Sequence, residues 1–171
     1  MNKCALLVID IQNDYFPGGL FPLWNTENTL ANINSAIKKA AEQSMEIIYV
    51  QHIANPEQEK APFFNPGTRG VELHNCLRQA QENGHHIVKS YADSFEQTSL
   101  NGLLQSKDID TLYICGMMTQ NCVTHTALSK SAEQYNVCIL SDCCTAPDEM
   151  IHKIALSGVS TRVPFVTVSQ M

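Results

Sequence analysis

Three polar residues that follow hydrophobic runs at separate points of the chain have complementary chemistry. Asp10 lies in VIDIQNDYF, Lys89 in HIVKSYADSF and Cys122 in GMMTQNCV. A thiol becomes a strong nucleophile when it loses its proton, a carboxylate can take that proton, and an ammonium can stabilise the resulting charges. Together these residue types predict a cysteine nucleophile with its own acid–base partners.

The place of Cys122 in the sequence favours a reactive thiol. It follows the apolar run TLYICGM by a short connection, and we expect it in the first turn of the next helix. Unpaired amides and the dipole at a helix N-terminus stabilise a thiolate, and a neighbouring lysine adds to that effect. The pattern therefore predicts a thiol that ionises readily.

Each of the three residues also has an ordinary structural explanation. Asp10 can cap the turn that follows its strand, and Lys89 can carry its ammonium into water at a sheet edge. A lone cysteine such as Cys122 is usually a small buried side chain. The functional interpretation therefore depends on the three residues occurring together.

Six apolar runs of strand length must position these residues. The runs lie at 5–11, 46–52, 85–90, 111–117, 137–142 and 164–169. They lack strict polar alternation, which is typical of parallel strands covered on both faces. In open sheets of this kind the chemistry lies at the carboxyl ends of the strands, which is where the three polar residues fall.

Segments with helical periodicity lie between the apolar runs, at 25–43, 120–134 and 148–156. Alternating strands and helices predict right-handed crossovers. We therefore predict an α/β fold with a three-layer, doubly wound (Rossmann-like) sheet, mainly parallel, of about six strands with helices on both faces. The segment 53–70 contains three prolines and two glycines and lacks periodicity, so we expect a long loop there.

Composition limits the class of protein. The 171 residues are 44% hydrophobic and 16% charged, which fits a single domain over 1–171. A net charge of -6 with only 11 Lys and Arg argues against a nucleic-acid partner. The N-terminal apolar run is too short for a signal peptide or a membrane span, and the seven cysteines are expected to be free thiols. We therefore expect a cytoplasmic protein without a membrane partner.

With these residues in this order, the chain resembles the isochorismatase-like cysteine hydrolase superfamily, which includes nicotinamidases and carbamoyl-amide hydrolases. Asp10, Lys89 and Cys122 match the order and approximate spacing of its Asp-Lys-Cys triad, and PGTRGVELH at 66–74 resembles another of its segments. The resemblance covers essentially the whole chain. It implies a hydrolase that cleaves a C–N bond of a small amide, carbamoyl or related substrate, and a homo-oligomer, either a dimer or a tetramer.

The resemblance also implies roles for individual groups. Asp10 would take the thiol proton, Lys89 would hold the charges in place, and Cys122 would attack the carbonyl carbon to give a thioester. The superfamily usually has a cis peptide at the position of Met117 and Met118. The backbone N–H groups of Met118 and Cys122 would then form the oxyanion hole.

No metal site is expected. Metal-dependent nicotinamidases carry an aspartate and then a histidine two positions on, after the second strand, whereas this chain reads VQHIANPEQ with His52 near the aspartate position. The other histidines lack the spacing of a ligand set. They are His74, His85, His86, His125 and His152. We predict a hydrolase without a metal or any other cofactor.

Aromatic residues and one arginine near the strand ends and in the long loop are candidates for the lining of a substrate pocket. They are Tyr15, Phe16, Phe21, Trp24, Phe63, Phe64, Arg69 and Tyr91. Ordinary packing would equally account for each of these side chains.

Several alternatives stay open at this point. Isochorismatases cleave a vinyl ether, and several replace the cysteine, whereas this chain retains Cys122. A non-catalytic binding module could keep the same fold. His125 offers another base for the thiol, although a residue one turn into the helix tends to lie behind it. A nucleotide-binding domain is disfavoured, because no glycine-rich phosphate motif follows a predicted strand.

Overall fold

The six apolar runs form one parallel sheet with the strand order β3-β2-β1-β4-β5-β6. The strands are β1 Cys4–Ile9, β2 Glu46–His52, β3 His85–Lys89, β4 Thr111–Met117, β5 Asn136–Thr145 and β6 Phe165–Val166. The computed structural model describes residues 3–57, 61–77 and 84–171. Residues 58–60 of the predicted loop lie outside the described residues.

Helices cover both faces of this sheet. They are α1 Thr26–Glu42, α2 Leu100–Ser106, α3 Thr124–Ala127 and α4 Glu149–Val159. Helix α1 packs its buried stripe, which includes Ile33 and Ala36, against Leu6 and Val8 of β1. Helices α2, α3 and α4 contribute to the core on the opposite face, where the alternate β1 residues lie. The predicted doubly wound α/β fold is confirmed.

No helix in the described part of the chain is long and apolar enough to cross a membrane. The longest of them, α1, has a polar outer face and buries only one stripe of its side chains in the core.

The structure corrects the helix predicted over 120–134. A π-helical turn at Thr119–Val123 leads into the single turn of α3, and a 3₁₀ helix at Lys130–Gln134 follows. Ser129 separates them because its backbone is extended and its side chain accepts a hydrogen bond from the amide of Ser131. The periodic apolar residues predicted one helix because they still face the core, but the capping serine ends it early.

Smaller differences concern element ends. Helix α2 has no counterpart among the predicted helices, because it is short and buries only Leu100 and Leu104. The last strand was predicted over 164–169, yet only Phe165–Val166 pairs, since a 3₁₀ turn with a capping box of Thr167 and Gln170 begins directly afterwards.

The carboxyl end of β1 is shaped by a close approach to β4. Ile9 pairs with Gly116, whose φ is 125° and where an added Cβ would lie 2.1 Å from the Ile9 carbonyl oxygen. Only glycine fits this contact. The next residue of β1, Asp10, turns out of the strand with a φ of 54°, a conformation that aspartate tolerates better than most residues. The predicted strand to residue 11 therefore ends at Ile9.

Candidate active site

Asp10, Lys89 and Cys122 meet at the carboxyl edge of the sheet. Asp10 follows β1, Lys89 ends β3, and Cys122 lies in the π-helical turn after β4. The Nζ of Lys89 lies 2.9 Å from Oδ2 of Asp10 and 3.3 Å from Sγ of Cys122. Their exposed fractions are 0%, 2% and 3%, so the cluster is almost closed to water. The sheet order brings three distant segments into one contact.

Lys89 has two further acceptors besides the carboxylate and the sulfur. Its Nζ lies 3.0 Å from the carbonyl oxygen of Tyr91 and 3.1 Å from Nδ1 of His52. An ammonium has three protons, so four acceptor atoms share them. A charge this deeply buried needs such partners, because desolvation without them would be prohibitive.

The carboxylate of Asp10 keeps Lys89 protonated. Burial alone would lower the pKa of Lys89, but the neighbouring Asp10 and Cys122 raise it more, and the net pKa is raised. The site therefore holds a permanent ammonium at neutral pH.

Cys122 differs from the expectation of a readily ionised thiol. Burial and then the Asp10 carboxylate raise its pKa, and the opposing effect of Lys89 is smaller. The residue lies within a π-helical turn and is 3% exposed. The cost of desolvating a thiolate there therefore outweighs any stabilisation of the thiolate by the start of the helix. Burial and Asp10 thus favour the neutral thiol over the thiolate.

One oxygen of Asp10 has no hydrogen-bond partner among residues 3–57, 61–77 and 84–171. Oδ1 is buried and receives no hydrogen bond from the described residues. A carboxylate oxygen of Asp10, a ring nitrogen of His52 and the sulfur of Cys122 all lie within 4.8 Å of one another. An unpaired buried acceptor beside a protonated thiol is suited to receive its proton.

His52 is a site residue that the sequence analysis did not assign to the triad. It ends β2 and is the register partner of Lys89 in β3. The side chain of Gln12 holds its backbone at both groups: Nε2 donates to the His52 carbonyl at 2.8 Å, and the His52 N–H donates to Oε1 at 2.8 Å. The signal that was available is that His52 and Lys89 both occupy the last position of a strand.

Tyr15 is the most deeply buried of the candidate pocket residues apart from Phe64. It is 1% exposed, and its pKa is raised by burial and then by Asp10, Cys122 and Asp14. Its ring begins an aromatic cluster, with centroid distances of 5.3 Å to Phe63 and 6.5 Å to Phe21. Phe64, which was also a candidate, packs at 4.5 Å from Tyr15.

The other candidate pocket residues are spread around the edge of the sheet. Phe16 stacks on His74 at 4.2 Å and lines, with Arg69, a cavity of about 320 Å³. The lining of that cavity includes Asp14 but none of the triad residues. Tyr91 is exposed while its carbonyl holds Lys89, and Trp24 packs 6.1 Å from His152. Phe16 and Arg69 are thus grouped apart from the cysteine.

Asp14, a buried carboxylate outside the predicted site, organises the loop that carries Phe63 and Phe64. Its Oδ2 accepts from the amide of Phe64 at 2.8 Å and its Oδ1 from the amide of Leu20 at 3.1 Å. An added Cβ at Gly70 would lie 2.0 Å from this carboxylate. Asp14 thereby fixes the segment that carries Phe63 beside Tyr15.

The connection after β4 is arranged around two methionines. The peptide bond between Met117 and Met118 is cis. The next residue, Thr119, donates to the Thr145 carbonyl at 3.0 Å, and its Oγ1 lies 2.8 Å from Nδ1 of His152. These contacts anchor the turn in which Cys122 lies.

His125, the alternative base, faces away from this cluster. Its ring is exposed, and its Nδ1 lies 2.9 Å from the carbonyl oxygen of Asn121, one turn back along its own helix. The thiol of Cys122 is buried on the other side, beside Asp10. The geometry favours Asp10 over His125 as the proton acceptor.

Comparison with known proteins places this arrangement in context. Residues 4–170 match the profile of the isochorismatase domain. The isochorismatase family protein YddQ of Bacillus subtilis is 37% identical over 172 residues, covering 93% of this chain and 94% of that protein. A nicotinamidase of Acinetobacter baylyi is 27% identical over 183 residues, covering 86% and 83%. A pyrazinamidase of Pyrococcus horikoshii, solved in complex with zinc, has the same fold, with a TM-score of 0.85, 24% identity and coverage of 96% and 99%.

Proposed function

This chain belongs to the isochorismatase family and is a hydrolase, and from that premise we propose that it cleaves a C–N bond of a small amide or carbamoyl substrate, with Cys122 as the nucleophile. The observation that carries the proposal is the position of Lys89 Nζ, 2.9 Å from Asp10 and 3.3 Å from the sulfur. This arrangement couples a base, a fixed cation and a thiol in one buried cluster.

In the first step the thiol of Cys122 attacks the carbonyl carbon as its proton moves to Asp10. Proton loss has to accompany attack, because the pKa of the thiol is raised by burial and by Asp10. The unpaired Oδ1 of Asp10 is the acceptor in this step. Lys89 stays charged and offsets the negative charge that forms on sulfur.

The tetrahedral intermediate then collapses to a thioester. Its oxyanion is bound by the backbone N–H groups of Met118 and Cys122, donors of a kind worth about 3 kcal/mol each in the transition state. Asp10 returns the proton to the leaving nitrogen, which departs as ammonia or an amine. Asp10 next removes a proton from water, whose oxygen attacks the thioester, and the acid and the thiol are released.

The substrate class follows from the surroundings of the cluster and from the relatives. Nicotinamidases are among the relatives, and the aromatic side chains of Tyr15, Phe21 and Phe63 form one cluster. A flat carboxamide such as nicotinamide or pyrazinamide is therefore the first candidate, with acyclic amides and carbamates after it. The vinyl ether hydrolysis of isochorismatases is less well supported, because it does not require a thiol.

The test is a screen for ammonia release from nicotinamide, pyrazinamide, benzamide, acetamide and simple carbamates. We expect at least one carboxamide to be turned over, with Cys122→Ala reducing the rate to background and Cys122→Ser serving as the matched variant of nearly equal volume. Intact mass spectrometry of the acidified reaction is expected to detect the acyl group on Cys122. Full amide turnover by Cys122→Ala would contradict the covalent route.

We also propose that the protein acts in the cytoplasm as a homo-oligomer, a dimer or a tetramer, on a small-molecule substrate and without a nucleic-acid or membrane partner. The side chains of Met150 and Ile154 support self-association, because they are 68% and 63% exposed one turn apart on α4. Light scattering in solution tests it. A monomer at all concentrations, or an oligomer unchanged by Met150→Lys with Ile154→Lys, would contradict the use of this face.

A further inference from the structure

His52 is the least explained member of the buried cluster. Its Nδ1 lies 3.1 Å from Lys89 Nζ, a distance intermediate between those to Asp10 and to the sulfur of Cys122. It is half-buried, and it is the single ring among four acceptors around the ammonium. None of the proposed catalytic steps uses it.

The contact favours one form of the imidazole. An ammonium can only donate, so a hydrogen bond from Lys89 requires the lone pair on Nδ1 and the ring proton on Nε2. Burial, and then the positive charge of Lys89, lower the pKa of His52 more than Asp10 and a backbone hydrogen bond with Tyr91 raise it, which favours a neutral ring. The ionisable groups of the described residues that face it are Lys89 from β3, Asp10 after β1 and Cys122 after β4.

The backbone of His52 is held independently of its ring. Gln12 bonds both its N–H and its carbonyl, and a further bond of 2.7 Å joins Gln12 Nε2 to the carbonyl of Val71. Phe64 packs against the ring with a centroid distance of 5.9 Å. The His52 ring therefore contacts Lys89 from a fixed backbone position, which a residue that positions another side chain requires.

The same atoms have the composition of a metal site, and the zinc bound to the Pyrococcus pyrazinamidase raises that possibility. A carboxylate, an imidazole and a thiol are a suitable set of zinc ligands. Here, however, the Lys89 ammonium is in hydrogen-bond contact with all three of them. A second cation at the same point would be repelled, so these residues do not fit a metal while Lys89 is present.

We propose that His52 is a positioning residue whose imidazole accepts a hydrogen bond from Lys89 at Nδ1 and thereby holds the ammonium between Asp10 and Cys122. A neutral acceptor suits this task, because a second carboxylate would bind the ammonium strongly and compete with the charge that forms on sulfur. The catalytic consequence rests on the proposed function, whereas the state of the ring does not.

The state of the ring is tested first, in the wild-type protein, by two-bond ¹H–¹⁵N correlation spectra of the histidines across pH. We expect His52 to be the Nε2–H tautomer and to stay neutral well below the ordinary histidine pKa of about 6.5. In Lys89→Met, which removes the donor at similar volume, we expect that single tautomer to be lost. A proton on Nδ1, or an ordinary titration in the wild type, would overturn the proposal even if no amide is hydrolysed.

The second test compares two variants on the amide identified by the ammonia screen. His52→Leu removes the acceptor at similar volume, and we expect kcat to fall about 10- to 100-fold with KM nearly unchanged. His52→Asn keeps an acceptor near the Nδ1 position, and we expect it to recover most of kcat and to lose any acid limb that belongs to the imidazole. Equal loss in both variants, or wild-type kcat in His52→Leu, would overturn the positioning role.

Discussion

Strands β2 and β3 carry a pair of ionisable residues at each end, and the two pairs have opposite surroundings. At the amino ends His85 lies 2.8 Å from Glu46, and both side chains are about one-third exposed. At the carboxyl ends Lys89 lies 3.1 Å from His52 and 2.9 Å from Asp10, and the side chains of the Lys89–Asp10 pair are fully buried. The same two strands therefore carry ionisable side chains that contact water at one end and are buried in the protein interior at the other.

The difference indicates which pair is suited to the proposed catalysis. An exposed pair is solvated and screened, so it contributes little to stability and does not perturb its neighbours strongly. A buried pair is neither solvated nor screened in this way. Such an ion pair seldom stabilises a fold more than apolar residues in its place would. Lys89 and Asp10 are accordingly surrounded by specific partners, which is the arrangement expected where chemistry and not stability fixes the residues.

The largest effect is expected from Asp10→Asn, which would separate activity from thiol ionisation. Losing the general base is expected to lower amide turnover by about 10²–10⁴-fold. The same change removes a charge that raises the pKa of Cys122 and leaves Lys89, which lowers it, so iodoacetamide should label Cys122 faster at pH 7.5. Turnover and labelling that fall together would contradict the role of Asp10 as the base.

Lys89→Met is expected to have the largest effect on stability. It leaves the Asp10 carboxylate buried without a cation, and breaking a buried pair from one side typically costs about 3–5 kcal/mol of the free energy of unfolding. Urea denaturation measures this cost. The double variant Asp10→Asn with Lys89→Met is expected to regain most of the loss while staying inactive. If the double variant is no more stable than Lys89→Met, the cost does not come from the unpaired carboxylate.

Removing Lys89 is also expected to convert the cluster into a metal site. Without the ammonium, the ligand atoms of Asp10, His52 and Cys122 remain within 4.8 Å of one another. Lys89→Met should therefore bind Zn²⁺, and zinc at 100 times its dissociation constant should raise the free energy of unfolding by about 2.7 kcal/mol. Lys89→Met with Cys122→Ser is the control. Equal zinc binding by wild type and Lys89→Met would show that the ammonium does not exclude the metal.

A smaller effect than those above is expected in the rates at which exposed and buried cysteines are labelled by a thiol reagent. At pH 7 iodoacetamide should modify exposed Cys76 before Cys122, because burial and Asp10 keep the latter protonated. The rate at Cys122 should then rise about tenfold per pH unit through the alkaline range, since only the thiolate reacts. Mass spectrometry of the digested protein gives both rates. A Cys122 that reacts first at neutral pH would restore the readily ionised thiol predicted from the sequence.

The strands and the three residues of the proposed triad were predictable because both depend on short-range sequence patterns. Continuous apolar runs identify buried parallel strands, and a polar residue directly after such a run lies at the carboxyl edge. Asp10 and Lys89 satisfy that rule, and Cys122 follows β4 by a short connection. The structure brings Asp10 and Cys122 within hydrogen-bond reach of Lys89. The doubly wound topology then follows from the handedness of the crossovers.

The features that were missed depend on long-range contacts. His52 contacts Lys89 because of the register between β2 and β3, and a sequence does not give a register. The protonated state of Cys122 depends on how completely its surroundings exclude water, which residue type does not reveal. The break at Ser129 is local, but the apolar pattern around it continues and outweighs the serine in a search for helical periodicity.

The smallest effect is expected at the amino ends of β2 and β3, from Glu46→Gln. Burial raises the pKa of Glu46, but its hydrogen bonds with His85 and Lys107 lower it more, and the net pKa is lowered. A lowered carboxyl pKa gives stability that is present above the unfolded value of about 4.3 and is lost as the pH falls through the folded value. The variant should therefore lose less than about 1 kcal/mol at pH 7 and almost nothing at acid pH. Glu42→Gln, on the solvent side of α1, is the control for losing a surface charge. A loss at Glu46 as large as that of Lys89→Met would mean that burial does not distinguish the two ends of these strands.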